Sequence, residues 1–490
     1  MIKPPKIFLY YIIVLVLFGA LGYFIPKEGI ELGESGYKVR WISFDNLLKK
    51  NIPTESVTES DPIEIDSLQV VDSLELAGVR KEKKDSVNLT IVSKPDSLAE
   101  DSIIQKLKLQ YPSAFKRMLY SFYQEIESAD ELNRVIRIMH MGDSQIEGDR
   151  ISKYLRESFQ RQFKGSGPGL IPLYDPKKQF PTVWINNKGA WSEHLVYQYP
   201  RIIEGNQYGI MGKVAKIDPA IAGSRVEVSQ SSMAQPRATN YYKSRLFLKN
   251  IEKPLVIDAY WGNDLISSDS LQVDDGITEI NWTFKRAPRR FSLSFESEQS
   301  PLFLGMSLDS LSGVSVDNIS MRGQSSPRLD KTDTLLYKSM AEYMNIGLVI
   351  LQYGTNMVPT VTENYDFYSL TFYRQLEILK KTMPGVPVLV VGVGDVGKLI
   401  DGKAHSYKHI FKIKEAQKEA AFKAGFAFFD LFEAMGGEGS ILKWVNGDPK
   451  LAMSDYTHFS KPGGKKVADW LYKAIMSEYE DYKKNLLSTK

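Results

Sequence analysis

The chain of 490 residues contains no cysteine. That excludes disulfides, thiol nucleophiles, cysteine-ligated zinc and lipoprotein attachment through an N-terminal cysteine. Histidine is scarce, with five copies: His140, His194, His405, His409 and His458. Imidazole chemistry therefore has few candidates. A charge excess of one sign is also missing, since 62 Lys and Arg stand against 59 Asp and Glu. The resulting +3 and the absence of a basic block point away from nucleic acid. No internal repeat is present. At 43% hydrophobic content, this length suffices for two or three domains with cores of their own.

Long apolar runs are confined to the N-terminus. Lys3 and Lys6 precede an uncharged run of 19 residues at 7–25. That is about the length a helix needs to cross ~30 Å of hydrocarbon. Positive charge before the run favours a cytoplasmic N-terminus and export of the rest. A cleaved signal peptide is the alternative, with Ala20-Leu21-Gly22 as its cleavage site. The run exceeds a typical signal h-region, which favours an uncleaved anchor.

From 51 to about 102 the composition turns to Ser, Asp, Glu, Thr, Val and Pro without helical period. Such a stretch buries too little apolar surface to offset its ordering entropy, so it reads as a flexible stalk. Leu107, Leu109, Phe115, Met118, Leu119 and Phe122 then predict an amphipathic helix over 107–126. The apolar strand Val135-Ile136-Arg137-Ile138-Met139 runs into Met141-Gly142-Asp143-Ser144 and a helix predicted over 145–163.

Between about 174 and 315 the pattern becomes short β-branched runs broken by Gly, Pro and Asn, which predicts an inserted β-sandwich. An α/β rhythm returns near Val314, with helices predicted over 332–344, 365–382, 405–424 and 464–479. Strands are predicted over 346–351, 386–391 and 426–430. Apolar strands alternating with helices imply a parallel sheet covered on both faces. The expected fold class is α/β: a three-layer α/β/α parallel sheet with an inserted β-sandwich and an N-terminal transmembrane anchor. The expected division is anchor 1–30, stalk 31–105, α/β domain 106–172 and 318–490, and β insertion 173–317.

A serine at the C-terminal end of a parallel strand lies where reaction sites collect in such folds. To attack an acyl carbonyl it needs a base, and the oxyanion needs preorganised donors. His140 sits in the strand and reads as a packing histidine, while His194 lies in the β region. His405 and His409 read as a solvated helix face, since no Glu-x-x-His pattern makes them a metal pair. His458 is left as the candidate base. In Asp455-Tyr456-Thr457-His458 the spacing suits a turn that brings the carboxylate to Nδ1 and leaves Nε2 for a serine.

Taken together, these motifs resemble the SGNH, or GDSL-type, hydrolase family. Gly142-Asp143-Ser144 matches the first block, Gly323 the second and Gly354-Thr355-Asn356 the third. Asp455-Tyr456-Thr457-His458, followed by Phe459-Ser460-Lys461-Pro462-Gly463, matches the fourth. Gln145 stands where the family name has Leu, Met357 where Asp is frequent, and Gly212 is an alternative second block.

The resemblance implies Ser144 as nucleophile, His458 as base and Asp455 as its orienting partner. It places the oxyanion on the N–H groups of Ser144 and Gly323 and the side-chain amide of Asn356, with no cofactor and no metal. The insertion and the export signal are similar to bacterial carbohydrate O-acetylesterases. The implied function is removal of O-acetyl or other small acyl groups from an acylated polysaccharide by a membrane-anchored, extracytoplasmic enzyme. An O-acetyltransferase working with a membrane acyltransferase partner, and a non-catalytic glycan-binding protein, are the alternatives. Trp184, Trp191, Trp261 and Trp282 of the insertion offer either a sugar-stacking platform or sandwich core. Trp261-Gly262-Asn263-Asp264, which imitates a third block, reads as a turn.

Overall fold

The computed structural model describes residues 30–31, 38–39 and 107–488. The apolar run at 7–25 and the polar stretch at 51–102 lie outside the described residues. Among the described residues, no helix is long and apolar enough to cross a membrane. The chain divides into two units, 1–91 and 92–490. In the first, Ile30–Glu31 pairs antiparallel with Lys38–Val39.

The second unit is built on a five-stranded sheet, ordered Gly313–Ser320, Val135–Gly142, Ile346–Gln352, Val388–Val391 and Ala427–Phe429. Every neighbouring pair in it is parallel. Side chains alternate across a strand, and here both faces are apolar. Ile136 and Ile138 enter one core, whereas Met139 and Met141 enter the other.

The first core is closed by the helices Phe115–Ser128, Ser152–Gln162 and Lys461–Ser488, with the short Leu431–Met435 and Ser440–Asn446. Thr334–Met344, Asp366–Thr382 and Ile410–Ala424 close the second. Local chemistry sets several ends: Asp333 caps Thr334–Met344 by accepting from the N–H of Leu335 and Leu336. Ile410–Ala424 stops at Gly425, whose φ of 86° suits a left-handed C-cap.

Between the first two chain segments of this sheet lie two antiparallel sheets sharing a third core. One is ordered Asp264–Leu271, Leu255–Trp261, Arg290–Ser297, Ser224–Gln230 and Val183–Lys188. The other is ordered Asp274–Thr283, Lys243–Ile251, Leu302–Asp309, Lys213–Ile217 and Trp191–Leu195, with Gly169–Ile171 paired to Leu302–Asp309. Val226, Val228, Ile257 and Leu293 of one sheet meet Leu246, Leu248, Phe303 and Leu308 of the other. A second flank of the insertion, with Tyr208, Ile210, Met211 and Phe247, joins the core that holds Met139 and Met141.

Several expectations shift. The parallel sheet resumes at Gly313, inside the stretch assigned to the insertion, because Val314 and Val316 pack into the helix-covered core. The helix predicted over 107–126 is Phe115–Ser128. The helix predicted over 145–163 is a 3-10 turn at Glu147–Asp149, with left-handed backbone at Gly148 (φ 67°) and Asp149 (φ 57°), and then the helix Ser152–Gln162. His405 lies in a hairpin strand, Lys403–Ser406, so it shares no helix face with His409. The final helix begins at Lys461, three residues earlier than the pattern suggested, and runs to Ser488.

Two buried polar systems tie these parts together. Arg137 of the parallel sheet donates to Asp317 at 2.8 Å, to Ser315 at 3.3 Å, and to Asp309 at the end of an insertion strand. The N–H of Leu170 also donates to Asp317. Burial raises the pKa of Asp317 although Arg137 opposes it. In the second system Arg156 donates to Asp149 at 2.6 and 3.1 Å, and Asn318 donates to Ser152 at 3.0 Å. Ser152 lies 2.9 Å from His140 Nδ1, and His140 Nε2 lies 3.2 Å from the Gln352 side-chain oxygen. That oxygen only accepts, so Nε2 carries the proton and Nδ1 accepts from Ser152.

Candidate active site

Three adjacent strands end together. In the register of the sheet Gly142 lies opposite both Ser320 and Gln352. Ser144, Gly323 and Asn356 therefore leave the same edge, two to four residues beyond these positions. Gly142 itself allows the close approach, since a Cβ there would stand 2.7 Å from the Gln352 carbonyl oxygen. Met321 N–H donates to the Gly142 carbonyl at 2.7 Å and Asp143 N–H to that of Gln352 at 3.1 Å.

The fourth block arrives from the far end of the chain. Gly463 and Gly464 let the last helix begin against other backbone: a Cβ would meet the carbonyl oxygen of Leu451 at 1.8 Å from Gly463 and that of Arg150 at 2.4 Å from Gly464. This seats the 455–458 loop over the Ser144 turn. Ser144 Oγ then lies 2.7 Å from His458 Nε2, and Asp455 Oδ2 lies 2.7 Å from His458 Nδ1.

The carboxylate fixes the proton on Nδ1, so Nε2 is the acceptor for the serine hydroxyl. Asp455 is held in turn by its own backbone: the N–H groups of Thr457 and His458 donate to Oδ1 at 2.9 and 3.0 Å. Burial works to raise the Asp455 pKa, but the His458 side chain and those two N–H groups outweigh it and hold it below the usual value. Ser144 is buried, whereas the Asp455 side chain is 46% exposed.

Gly323 has φ 77° with nothing within 4 Å of a notional Cβ, so its left-handed backbone borders open space. The Asn356 side chain donates to the Gln324 carbonyl at 3.0 Å, linking the third block to the second. Gly212 is elsewhere, packed on the side chain of Met321 within the core.

Residues without an assigned role in the sequence complete the frame. Asp143, fully buried, accepts from the N–H of Gln145 at 2.9 Å and of Thr355 at 3.2 Å, joining the first block to the third. Burial pushes its pKa up to about 6, against the pull of those two donors. Gln145 joins the first block to the fourth: its amide donates to the Thr457 carbonyl at 2.6 Å, and it accepts from Phe459 N–H at 3.3 Å. Arg150 donates to the Ser144 carbonyl at 3.2 Å. Glu147, three residues past the serine, accepts from Arg322 at 2.7 to 3.0 Å and from Gln179 of the insertion. Proximity to Ser144 and Gly323 was the available signal for Glu147 and Arg322.

The other histidines lie apart. His140 belongs to the buried polar chain, and desolvation lowers its pKa to about 4. His194 contacts Ser192, and His409 donates to the Val358 carbonyl at 2.7 Å. Among the described residues no group of three or more His, Asp or Glu could hold a metal ion. Of the tryptophans, Trp282 is core, Trp191 stacks on Tyr174 and meets Phe295 at a steep angle, and Trp261 meets Phe284. Trp184 is 37% exposed.

No family model matches the sequence, and no curated protein matches it. Among solved structures, the chain is similar to a peptidoglycan O-acetylesterase, with a TM-score of 0.60 and 19% identity over 75% of this chain and 98% of that one. That likeness shows that the chain shares the fold of this enzyme. Matches to an acetyl xylan esterase (TM-score 0.26, 17% identity, 33% of this chain and 81% of that one) and to a GDSL-like lipase from Bacteroides thetaiotaomicron (TM-score 0.25, 18% identity, 33% and 76%) add nothing further. The strand edge that Ser144, Gly323 and Asn356 leave is the edge that the 455–458 loop reaches.

Proposed function

We propose that the chain is a serine esterase removing O-acetyl or other small acyl groups from a cell-envelope or extracellular polysaccharide. One observation carries the reading: the relay from Asp455 through His458 to Ser144, with both links at 2.7 Å. The likeness in fold to a peptidoglycan O-acetylesterase supports the substrate class.

Ser144 Oγ attacks the ester carbonyl as His458 Nε2 takes its proton, and Asp455 stabilises the resulting imidazolium. The oxyanion takes hydrogen bonds from the N–H groups of Ser144 and Gly323 and from the Asn356 amide. As the tetrahedral intermediate collapses, the sugar oxygen leaves with the proton from His458. Water, deprotonated by the same nitrogen, then releases the carboxylic acid and restores Ser144. In this reading residues 1–30 anchor the enzyme, 31–105 form a stalk, and the β insertion, which ends before Gly313, belongs to the part that acts outside the cytoplasm.

The test is hydrolysis of p-nitrophenyl acetate by the full chain beside Ser144→Ala and His458→Ala. Removal of either residue is expected to cost ~10⁴-fold or more in kcat. Equal rates in all three proteins overturn the reading. Acetate release from O-acetylated peptidoglycan then tests the substrate class, and faster acetyl transfer to an added glycan than to water overturns the esterase in favour of a transferase.

A further inference from the structure

The Glu147–Arg322 pair stands where two site loops meet. Glu147 is in the 3-10 turn that follows Ser144, and Arg322 immediately precedes Gly323. Arg322 Nε lies 3.0 and 2.9 Å from the two Glu147 oxygens, and Nη2 lies 2.7 Å from Oε2. The Glu147 side chain is 10% exposed and the Arg322 side chain 53%. A buried carboxylate must be paired to be tolerated, so the contact holds firmly even though the guanidinium faces solvent. Gln179, from the loop between Gly169–Ile171 and Val183–Lys188, donates to the same carboxylate.

The Gly323 N–H belongs to the peptide unit whose carbonyl carbon is that of Arg322. Holding the Arg322 side chain therefore restrains the backbone that sets the direction of that N–H. The turn is tied on both sides, since Met321 N–H donates to the Gly142 carbonyl, Gln324 N–H closes back on the Met321 carbonyl at 3.2 Å, Asn356 donates to the Gln324 carbonyl and Tyr368 to the Ser325 carbonyl. Arg322 adds a side-chain restraint to this turn, on whose open face a Cβ at Gly323 would meet nothing within 4 Å.

We propose that Glu147 and Arg322 are positioning residues for ester cleavage: a charged brace, steadied by Gln179 of the insertion, that aims the Gly323 N–H at the oxyanion formed on Ser144. The proposal rests on the esterase reading above. A donor held in place before the reaction is worth more than one that must be ordered during it. The brace thus acts on the transition state and leaves ground-state binding nearly unchanged.

The experiment compares full-chain Arg322→Met, Glu147→Gln and Gln179→Ala with the parent on p-nitrophenyl acetate. Active sites are counted by titration with an organophosphorus ester that phosphorylates the serine, and each variant's melting curve is recorded. Loss of an oxyanion donor costs ~10²–10³-fold in kcat, so loss of its aim should cost about 10- to 100-fold per titrated site. KM should stay within about twofold, and Gln179→Ala should show a smaller fall. The double variant should be no slower than the worse single, since both substitutions break one contact. Affinity for a boronic acid that forms a tetrahedral adduct at Ser144 should fall in step with kcat. Parental kcat per titrated site in both charge variants, or a change confined to KM, overturns the brace and leaves the esterase standing. Parent turnover that survives Ser144→Ala overturns the esterase reading, and the brace with it.

Discussion

Asp455 uses its two oxygens for different tasks: Oδ1 accepts from two backbone N–H groups and Oδ2 orients His458. In Asp455→Asn the amide cannot accept from both sides, so the imidazole loses its tautomer. The expected result is a fall in kcat of roughly 10³–10⁴-fold with little change in melting temperature, checked by steady-state kinetics and calorimetry. His140 gives the residue scale a pH signature. Its folded pKa of about 4 lies below the ordinary 6.5, so between these values the unfolded chain binds a proton that the folded chain does not. Its contribution to stability is therefore full above pH 6.5 and lost as the pH falls toward 4, about 3 kcal/mol in all. Asp143, raised to about 6, acts in the opposite sense, since its burial as an anion is relieved as the pH falls through that value. The comparison that isolates His140 is parent against His140→Gln, by urea unfolding at pH 7 and pH 4. The parent should lose about 3 kcal/mol more than the variant over that range.

At the scale of elements, two glycines separate aim from packing. Gly323→Ala meets no atom but must hold φ 77°, which costs on the order of 1–2 kcal/mol or moves the loop. The expected outcome is a small drop in melting temperature with a large fall in kcat and a steady KM. Gly463→Ala places a Cβ 1.8 Å from the Leu451 carbonyl oxygen, so the last helix must lift from its seat. That change should lower the melting temperature and separate His458 from Ser144. Both are read by the same kinetics beside thermal unfolding, and equal behaviour of the two variants would contradict this division.

Across the whole molecule, Arg137 joins the parallel sheet to the insertion through Asp317 and Asp309. Arg137→Met leaves two buried carboxylates without their cation, a change expected to cost about 3–5 kcal/mol. Because residues 92–490 form one unit, the loss should appear as a single earlier transition shared by circular dichroism and tryptophan fluorescence. Two separated transitions would show that the insertion and the α/β part unfold independently.

What the sequence by itself determined is local. The alternation of apolar strands with helices, the turn at Gly142-Asp143-Ser144 and the Asp455-x-x-His458 spacing follow from periodicity and from side chains that bond their own backbone. Helix ends are less legible where one or two residues decide them, as the left-handed Gly148 and Asp149 do in the segment after Ser144. Only the tertiary structure decided which distant groups meet. The register that sets Gly142 opposite Ser320 and Gln352, the seat that Gly463 and Gly464 give the last helix, and the ties made by Asp143, Gln145 and Glu147 join residues up to 314 positions apart. No local pattern encodes such pairs, because their free energy comes from shared burial and from satisfying polar groups that the fold removes from water.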